Sequence, residues 1–316
     1  MFTTSLIERE RGDEIGEKNY NVVFYGNPGT GKTTVASIYE RLLKDLEVLP
    51  EAALFEKTSG VNLIEAGISG LNNILGKFKE KGGGLLFIDE AYSLHGGGSQ
   101  PNTQGKKLIE FLLPDITTVQ SKYGRLVIVM AGYRRQMEQV MEMNDGLNRR
   151  FRKLFEFKDY SDDELIAILE KKLETNTPSM QAEDAKHVRI AARRIGRARG
   201  TRGFGNAGAI DAYFKNVVLP RQAKRIDAEK QRGKFPNLHL LKRDDLLGAR
   251  TSVKRLQADE AYTKLNEMIG LKNVKVYVDS LIRMVADNES LEDEELPVKK
   301  VNLNVVFVGN PGTGKV

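Results

Sequence analysis

The stretch NVVFYGNPGTGKT, Asn21 to Thr33, leaves few folds open to this chain. Asn21 to Tyr25 is a short apolar, β-branched and aromatic run that reads as a buried strand. Gly26 to Thr33 is a complete GxxxxGKT phosphate loop, and TVASIYERLLKDL after it carries apolar residues at helical spacing through Leu46. Strand, loop and helix therefore follow in the order that phosphate binding requires. Gly26, Gly29 and Gly31 permit backbone conformations that a Cβ resists, so successive N–H groups can turn inward around a β-phosphate. Asn27, Pro28, Thr30 and Thr34 complete the lining. Lys32 offers a point charge to the β- and γ-phosphates, Thr33 a hydroxyl to Mg²⁺, and the helix aims its positive end at the same oxygens. ATP and Mg²⁺ are the expected ligands. A glycine-rich turn matching by chance would lack the flanking strand and helix.

A second signal is internal repetition. Asn304 to Lys315, NVVFVGNPGTGK, repeats Asn21 to Lys32 with Val308 in place of Tyr25. Val316 stands where the first loop has Thr33. LNEMIGL (Leu265 to Leu271) and the helical-looking KNVKVYVDSLIRMVAD lie upstream of the second loop, and Gly270 precedes Gly309 by 39 positions. Only 25 residues precede Gly26, so the first copy is expected to lack that lead-in. The chain reads as truncated at both ends, a fragment of a tandem-repeat protein or the product of a faulty gene model.

Between the loops, copy one alternates strand and helix. Ala53 to Thr58 is the expected second strand, Leu71 to Lys79 a helix, and Leu85 to Ile88 a continuous apolar strand ending in Asp89 and Glu90. Thr103 to Val119 reads as a helix kinked at Pro114, Leu126 to Ala131 as the fourth strand and Lys153 to Phe157 as the fifth. This alternation predicts an α/β fold with a parallel five-stranded sheet and helices on both faces. Ligands of such sheets bind at the carboxyl ends of strands, where Gly26, Asp89 and Glu90 fall. From Ser161, a capping-box-like start, the pattern turns to helices only, with further helices over Glu183 to Arg199 and Asn206 to about Glu229. The expected domains are an α/β nucleotide-binding domain over 1–158, an all-helical lid over 159–250, and a linker with the start of a second module over 251–316.

LLFIDEAYSL, Leu85 to Leu94, is the second chemical constellation. Mg²⁺ keeps several waters and uses few protein carboxylates, so Asp89 can hold it through water opposite Thr33. Glu90 can orient and polarise the water that attacks the γ-phosphate. Two acids ending a strand are by themselves an ordinary solvated strand end; their company with the phosphate loop gives them chemistry.

GNPGTGKT, FIDEAYSL, VIVMAGY, DGLNRRF and GFGNAG, in this order, resemble AAA+ ATPases of the CbbX/CfxQ type, the group containing red-type Rubisco activases and their relatives. The resemblance runs from Asn21 to about Leu247 and again from Leu265 onward. It implies a ring-shaped hexamer with ATP between subunits, and hydrolysis used to remodel a protein partner. Its GLxxRF element matches Gly146, Leu147, Arg150 and Phe151, making Arg150 the expected arginine finger acting in trans, with Arg149 the competing candidate and two surface arginines ending a helix the plainer alternative. Three positions depart from the family pattern. Gly208 stands where FGNAR has the sensor 2 arginine and Asp211 replaces a further arginine, so hydrolysis or its coupling to the lid is expected to weaken. Ser59 to Gly70, read as the loop after the second strand, has no aromatic residue to grip a threaded chain, and Ile68 is the nearest substitute. The missing lead-in would leave the adenine poorly bordered.

Composition narrows the rest. The 316 residues are 40% hydrophobic and suit about two domains. There is no cysteine, so no disulfide or thiolate metal site, and no apolar run long enough to span a membrane. The N-terminus lacks a signal peptide's order, and an intracellular, soluble, cytoplasmic protein is expected. A net charge of +6, from 49 basic and 43 acidic residues, argues weakly for a polyanionic partner. Lys186 to Arg202 holds seven Lys or Arg and no acid, with Arg189, Arg193 and Arg197 in one helical stripe. That stripe is open to three readings: a solvated or subunit-facing surface, a substitute nucleotide contact through Arg202 or a neighbour, and nucleic-acid binding, for which no aromatic interleaves it. His95 with Gly96 to Gly98 mimics an esterase HGGG motif, but without a GxSxG partner it reads as a loop, and the three histidines are too scattered for a metal site. Three functions remain at this level: an ATP-driven protein remodeller, an ATP-binding scaffold with little turnover, and a nucleic-acid-directed motor. The client protein stays open.

Overall fold

A computed structural model of the chain describes residues 19–96, 102–116, 120–176, 179–250, 252–299, 305, 306 and 308. The chain divides into two compact units, residues 1–163 with 198–210, and residues 164–197 with 211–316. Each is taken by its described residues.

The first unit runs β1 (Val22–Gly26), α1 (Lys32–Asp45), β2 (Leu54–Ser59), α2 (Gly60–Glu80), β3 (Gly83–Asp89), a 3₁₀ turn (Ala91–Leu94), α3 (Thr103–Leu112), β4 (Gln120–Ser121), β5 (Gly124–Gly132), α4 (Arg134–Glu142), α5 (Asp145–Arg150) and β6 (Lys153–Phe157). The strands β2-β3-β5-β1-β6 lie side by side and all pair in parallel. Period-two alternation sorts their side chains onto two cores. Val22, Phe24, Leu85, Phe87, Val127 and Val129 pack with Ala36 and Leu43 of α1. Val23, Tyr25, Leu86, Ile88, Ile128 and Met130 pack with α2, α3 and α4 through Leu75, Leu108 and Met137. The sheet is thus covered on both faces, as the continuous apolar runs require. Parallel register brings the carboxyl ends of β1, β2, β3 and β5 to one edge, with Ser59 beside Asp89 and Tyr25 beside Gly132.

Several expected elements differ. Ser59 to Gly70 is not a loop: Ser59 caps α2 by accepting the Asn62 N–H at 3.1 Å, and the helix runs to Glu80 across a break at Gly67 (φ 61°, ψ −163°). Glycines at 60, 67 and 70 hide that helix from propensity. Ile68 is half-buried against the core rather than free to grip a chain. The helix expected over Thr103 to Val119 ends at Leu112, ahead of Pro114, which has no N–H to continue the ladder; residues 117–119 lie outside the described ones. A short antiparallel β4 adds to β5 through Gln120 and Ser121.

The second unit contains α6 (Asp162–Thr175), whose start belongs to the first unit, β7 (Gln181–Ala182), α7 (Ala185–Gly196), the end of α8 (Ala207–Tyr213), a π-helical turn (Phe214–Val218), α9 (Leu219–Gln231), β8 (Leu240–Leu241) and α10 (Arg243–Leu247). It is not helical throughout, because β7 and β8 pair in parallel. Leu165, Leu169 and Leu173 on α6 and Val188 and Ala192 on α7 are buried at helical spacing. The helix expected from Asn206 to about Glu229 widens into the π turn ahead of Pro220, whose missing N–H interrupts the ladder. The expected linker, Thr251 to Tyr262, holds α11 (Val253–Gln257) and the start of α12 (Glu260–Glu267), and α13 (Lys272–Asp293) follows. The arginine stripe of α7 does not face solvent alone: Glu292 and Glu295 pair with it. Of the second phosphate-loop sequence only Val305, Val306 and Val308 are described, so Gly309 to Lys315 and Val316 lie outside, as do Gly97 and Gly98 beside His95. Among the described residues no helix is long and apolar enough to cross a membrane.

Candidate nucleotide site

At the carboxyl edge of the sheet a cavity of about 590 Å³ opens over the start of α1. Gly26, Pro28, Gly29, Thr30, Gly31, Lys32, Thr33 and Thr34 line it, facing Asp89 and Glu90 at the end of β3. Tyr92, Gly132, Tyr133, Tyr160 and Ala207 close its sides. The loop owes its shape to backbone that only glycine accepts readily: Gly29 has φ 71°, and a Cβ there would stand 2.0 Å from the Gly205 carbonyl oxygen. Lys32 Nζ donates to the carbonyls of Gly26 at 2.9 Å and Asn27 at 2.7 Å, which holds its ammonium inside the cradle. Burial pushes the Lys32 pKa below its ordinary value, against the pull of the Asp89 and Asp159 charges. The Asn27 side-chain amide, between the lining residues Gly26 and Pro28, donates to Asp159.

The expected metal ligands converge. Lys57 on β2 donates to Thr33 Oγ1 at 3.3 Å and sits 3.5 Å from Asp89 Oδ2, so one cationic group already bridges the hydroxyl and the carboxylate. Two hard oxygens sharing a cation fit Mg²⁺, which takes one or two protein oxygens plus phosphate and water. Among the described residues no cluster of three or more His, Cys, Asp or Glu offers a different metal site. Glu90 follows Asp89 in the left-handed region (φ 47°), with its N–H donating to Asp89 Oδ1 at 3.1 Å. Burial raises the Tyr92 pKa, and the charge of Glu90 raises it further. Tyr92 packs on Tyr133 with ring centroids 5.7 Å apart, and the guanidinium of Arg202 lies 5.5 Å from the Tyr133 ring.

Two residues to which the sequence assigned no role hold the loop in place. Asn206, fully buried at φ 49°, donates from its amide to Pro28 O, Asp159 Oδ1 and Phe204 O, and accepts the Tyr160 N–H at 2.9 Å. Asp159 accepts from Asn206, Asn27 and the Gly200 N–H. Burial would raise its pKa, but the hydrogen bonds from Asn206, Gly200 and Asn27 outweigh that and hold the carboxyl below its ordinary value. Asn206 belongs to the FGN that marked the resemblance; its role needed the fold. Replacing it with alanine is expected to destabilise the protein by about 2–4 kcal/mol in chemical denaturation, from orphaned buried partners and a left-handed Cβ. Asn206→Gly should recover only the backbone part; equal stability of Asn206→Ala and wild type would refute the assignment.

Arg150 ends α5, half-buried, with Nη1 donating back to the Gly146 carbonyl at 3.1 Å, while Arg149 is exposed. Neither lines the cavity. A Cβ on Gly208 would meet nothing within 4 Å, so the space beside this residue is open in the first unit. Asp211, in the second unit, is paired with Lys172 and Lys215.

A profile of the AAA family, ATPases associated with various cellular activities, matches residues 22–159. Stage V sporulation protein K of Bacillus subtilis is 33% identical over 174 residues, covering 55% of this chain and 52% of that protein. ESX-1 secretion system protein EccA1 of Mycolicibacterium smegmatis is 32% identical over 187 residues, covering 59% of this chain and 32% of that protein. The chain thus spans 52% and 32% of the lengths of these two relatives. Among solved structures, the Aeropyrum pernix ORC2 protein in ADPNP–ADP complexes superposes with a TM-score of 0.50 at 16% identity, covering 95% of this chain and 80% of that one, a likeness of fold. With the phosphate loop, the parallel sheet order and the profile in agreement, residues 22–159 match the AAA family and have the P-loop NTPase fold, followed by a helical region.

Proposed function

We propose that this chain is an ATP-hydrolysing AAA+ protein of the CbbX/CfxQ type that remodels a protein partner as a ring oligomer, with residues 304–315 opening a second nucleotide-binding module. The observation that carries the reading is the presence of Lys32, Thr33, Asp89 and Glu90 in one cavity at the carboxyl edge of the sheet. Lys32 and the loop N–H groups would bind the β- and γ-phosphates. Thr33 and Asp89 would hold Mg²⁺, which when bound neutralises charge between those phosphates. Glu90 orients the attacking water and accepts its proton. Arg150 acts on the neighbour's γ-phosphate, for which the absence of both α5 arginines from their own cavity is support. Val35, Ile38 and Leu42, exposed at helical spacing on α1, are apolar surface that a neighbouring subunit would cover.

A site that needs its neighbour should show phosphate release per mole rising steeply with protein concentration, with Lys32→Ala as the blank. Activity independent of concentration would overturn the ring. The open space at Gly208 favours one other reading, a scaffold that binds ATP and barely turns it over. Tight ATP binding without phosphate release at any concentration would select it.

A further inference from the structure

The basic face of α7 and the last turn of α13 explain each other. Arg189 grips Glu295 in a fork, Nε to Oε1 at 2.7 Å and Nη2 to Oε2 at 2.8 Å, and Arg193 adds a bond to Oε1 at 3.1 Å. Arg194 donates to Glu292 Oε2 from Nε at 3.0 Å, and Arg197 reaches Glu292 Oε1. Lys186 Nζ donates to the Asp293 carbonyl, and Arg250 pairs with the Asp293 carboxylate at 2.8 Å. Glu292 is 7% exposed, so this is a networked and partly desolvated joint rather than a row of surface pairs. Hydrogen bonding to Arg189, helped by the charges of Arg189 and Arg193, holds the Glu295 carboxyl down to about 2.

Local rules make the acids of α13 a liability without the arginines. Carboxylates at a helix C-terminus oppose its dipole, and no basic residue occupies the last turn of α13. Glu295 is also left-handed (φ 56°), at a position where glycine is usual. The last turn of α7 presents Arg193 and Arg194, cations that suit the end of their own helix and compensate the other.

We infer that the arginine face of α7 is a docking surface whose partner is the acidic end of α13 in the same chain, a joint that anchors the approach to the second phosphate-loop sequence on the helical unit. Arg189, Arg193 and Arg197, the three members of the stripe, are then engaged by carboxylates rather than held open for nucleic acid. Movement of the helical unit would be passed to residues 304–315 through this joint, a consequence that rests on the reading of those residues as a second module. The joint itself is measurable whether or not ATP is hydrolysed.

Amide hydrogen exchange in the full chain tests it. Glu295→Arg should speed exchange of the amides of residues 288–296 about tenfold while α9 stays protected. Combining Glu295→Arg with Arg189→Glu and Arg193→Glu in one chain should restore protection to within about threefold of wild type. If Glu295→Arg disturbs α9 as well, restoration by the combined variant still decides. Unchanged exchange in Glu295→Arg, or failure of the combined variant to restore it, would overturn the joint. Restoration on mixing the two one-sided variants would overturn the same-chain partner in favour of a second copy. Displacement of the α13 end in the wild-type chain by single-stranded DNA would overturn it in favour of nucleic acid.

Discussion

Arg150→Ala is expected to lower ATP turnover at saturating ATP by about 10³-fold or more while leaving nucleotide binding within a few-fold. A guanidinium brought to the γ-phosphate spreads positive charge over oxygens whose charge shifts in the transition state, so its removal acts on turnover rather than on ground-state affinity. The truncation should fold: the Asn19 amide bonds the Arg150 backbone carbonyl, which alanine keeps. Mixing decides whether the arginine acts in trans. Arg150→Ala protomers retain Glu90, and Glu90→Gln protomers retain the arginine, so mixed rings contain interfaces with both groups intact. Two inactive preparations should regain turnover on mixing. Arg149→Ala is the control, since Arg149 is the exposed alternative at the same helix end. A larger loss there would move the role by one residue, and near-normal turnover in Arg150→Ala would remove it.

The parts of the site that were legible in the sequence are those made of neighbours along the chain. Gly26 to Thr34 is contiguous, and Asp89 and Glu90 end an apolar strand, so composition and spacing alone locate them at the carboxyl edge of a sheet. The parts that were not legible depend on register and on distant pairings. Lys57 reads as one exposed residue of β2, and only its pairing with Phe87 sets it beside Asp89 and Thr33. Asp159 resembles any loop acid, although it lies 132 positions from Asn27, whose amide it holds. The arginines of α7 show a plain helical stripe, while the carboxylates that answer them lie about a hundred positions later. The first half of α2 was hidden by its own glycines, and β4, β7 and β8 are too short to show a period.

Glu90→Gln is expected to reduce hydrolysis by about 10²- to 10⁴-fold, the range for losing a positioned general base, with ATP binding retained or tightened. The amide keeps the shape and can still hydrogen-bond a water, but it neither polarises that water nor accepts its proton. Asp89→Asn provides the contrast: it removes charge from the residue that shares a cation with Thr33, so it should weaken the dependence of binding on Mg²⁺ as well as the rate. A second readout does not involve turnover. Burial and then the Glu90 charge raise the Tyr92 pKa, so in Glu90→Gln the phenol should titrate at lower pH in ultraviolet difference spectra. A lower Tyr92 pKa with turnover preserved within tenfold would place Glu90 at the cavity wall without a part in the chemistry. A lower pKa together with lost turnover and intact binding would tie the carboxylate seen beside Tyr92 to the step that consumes ATP.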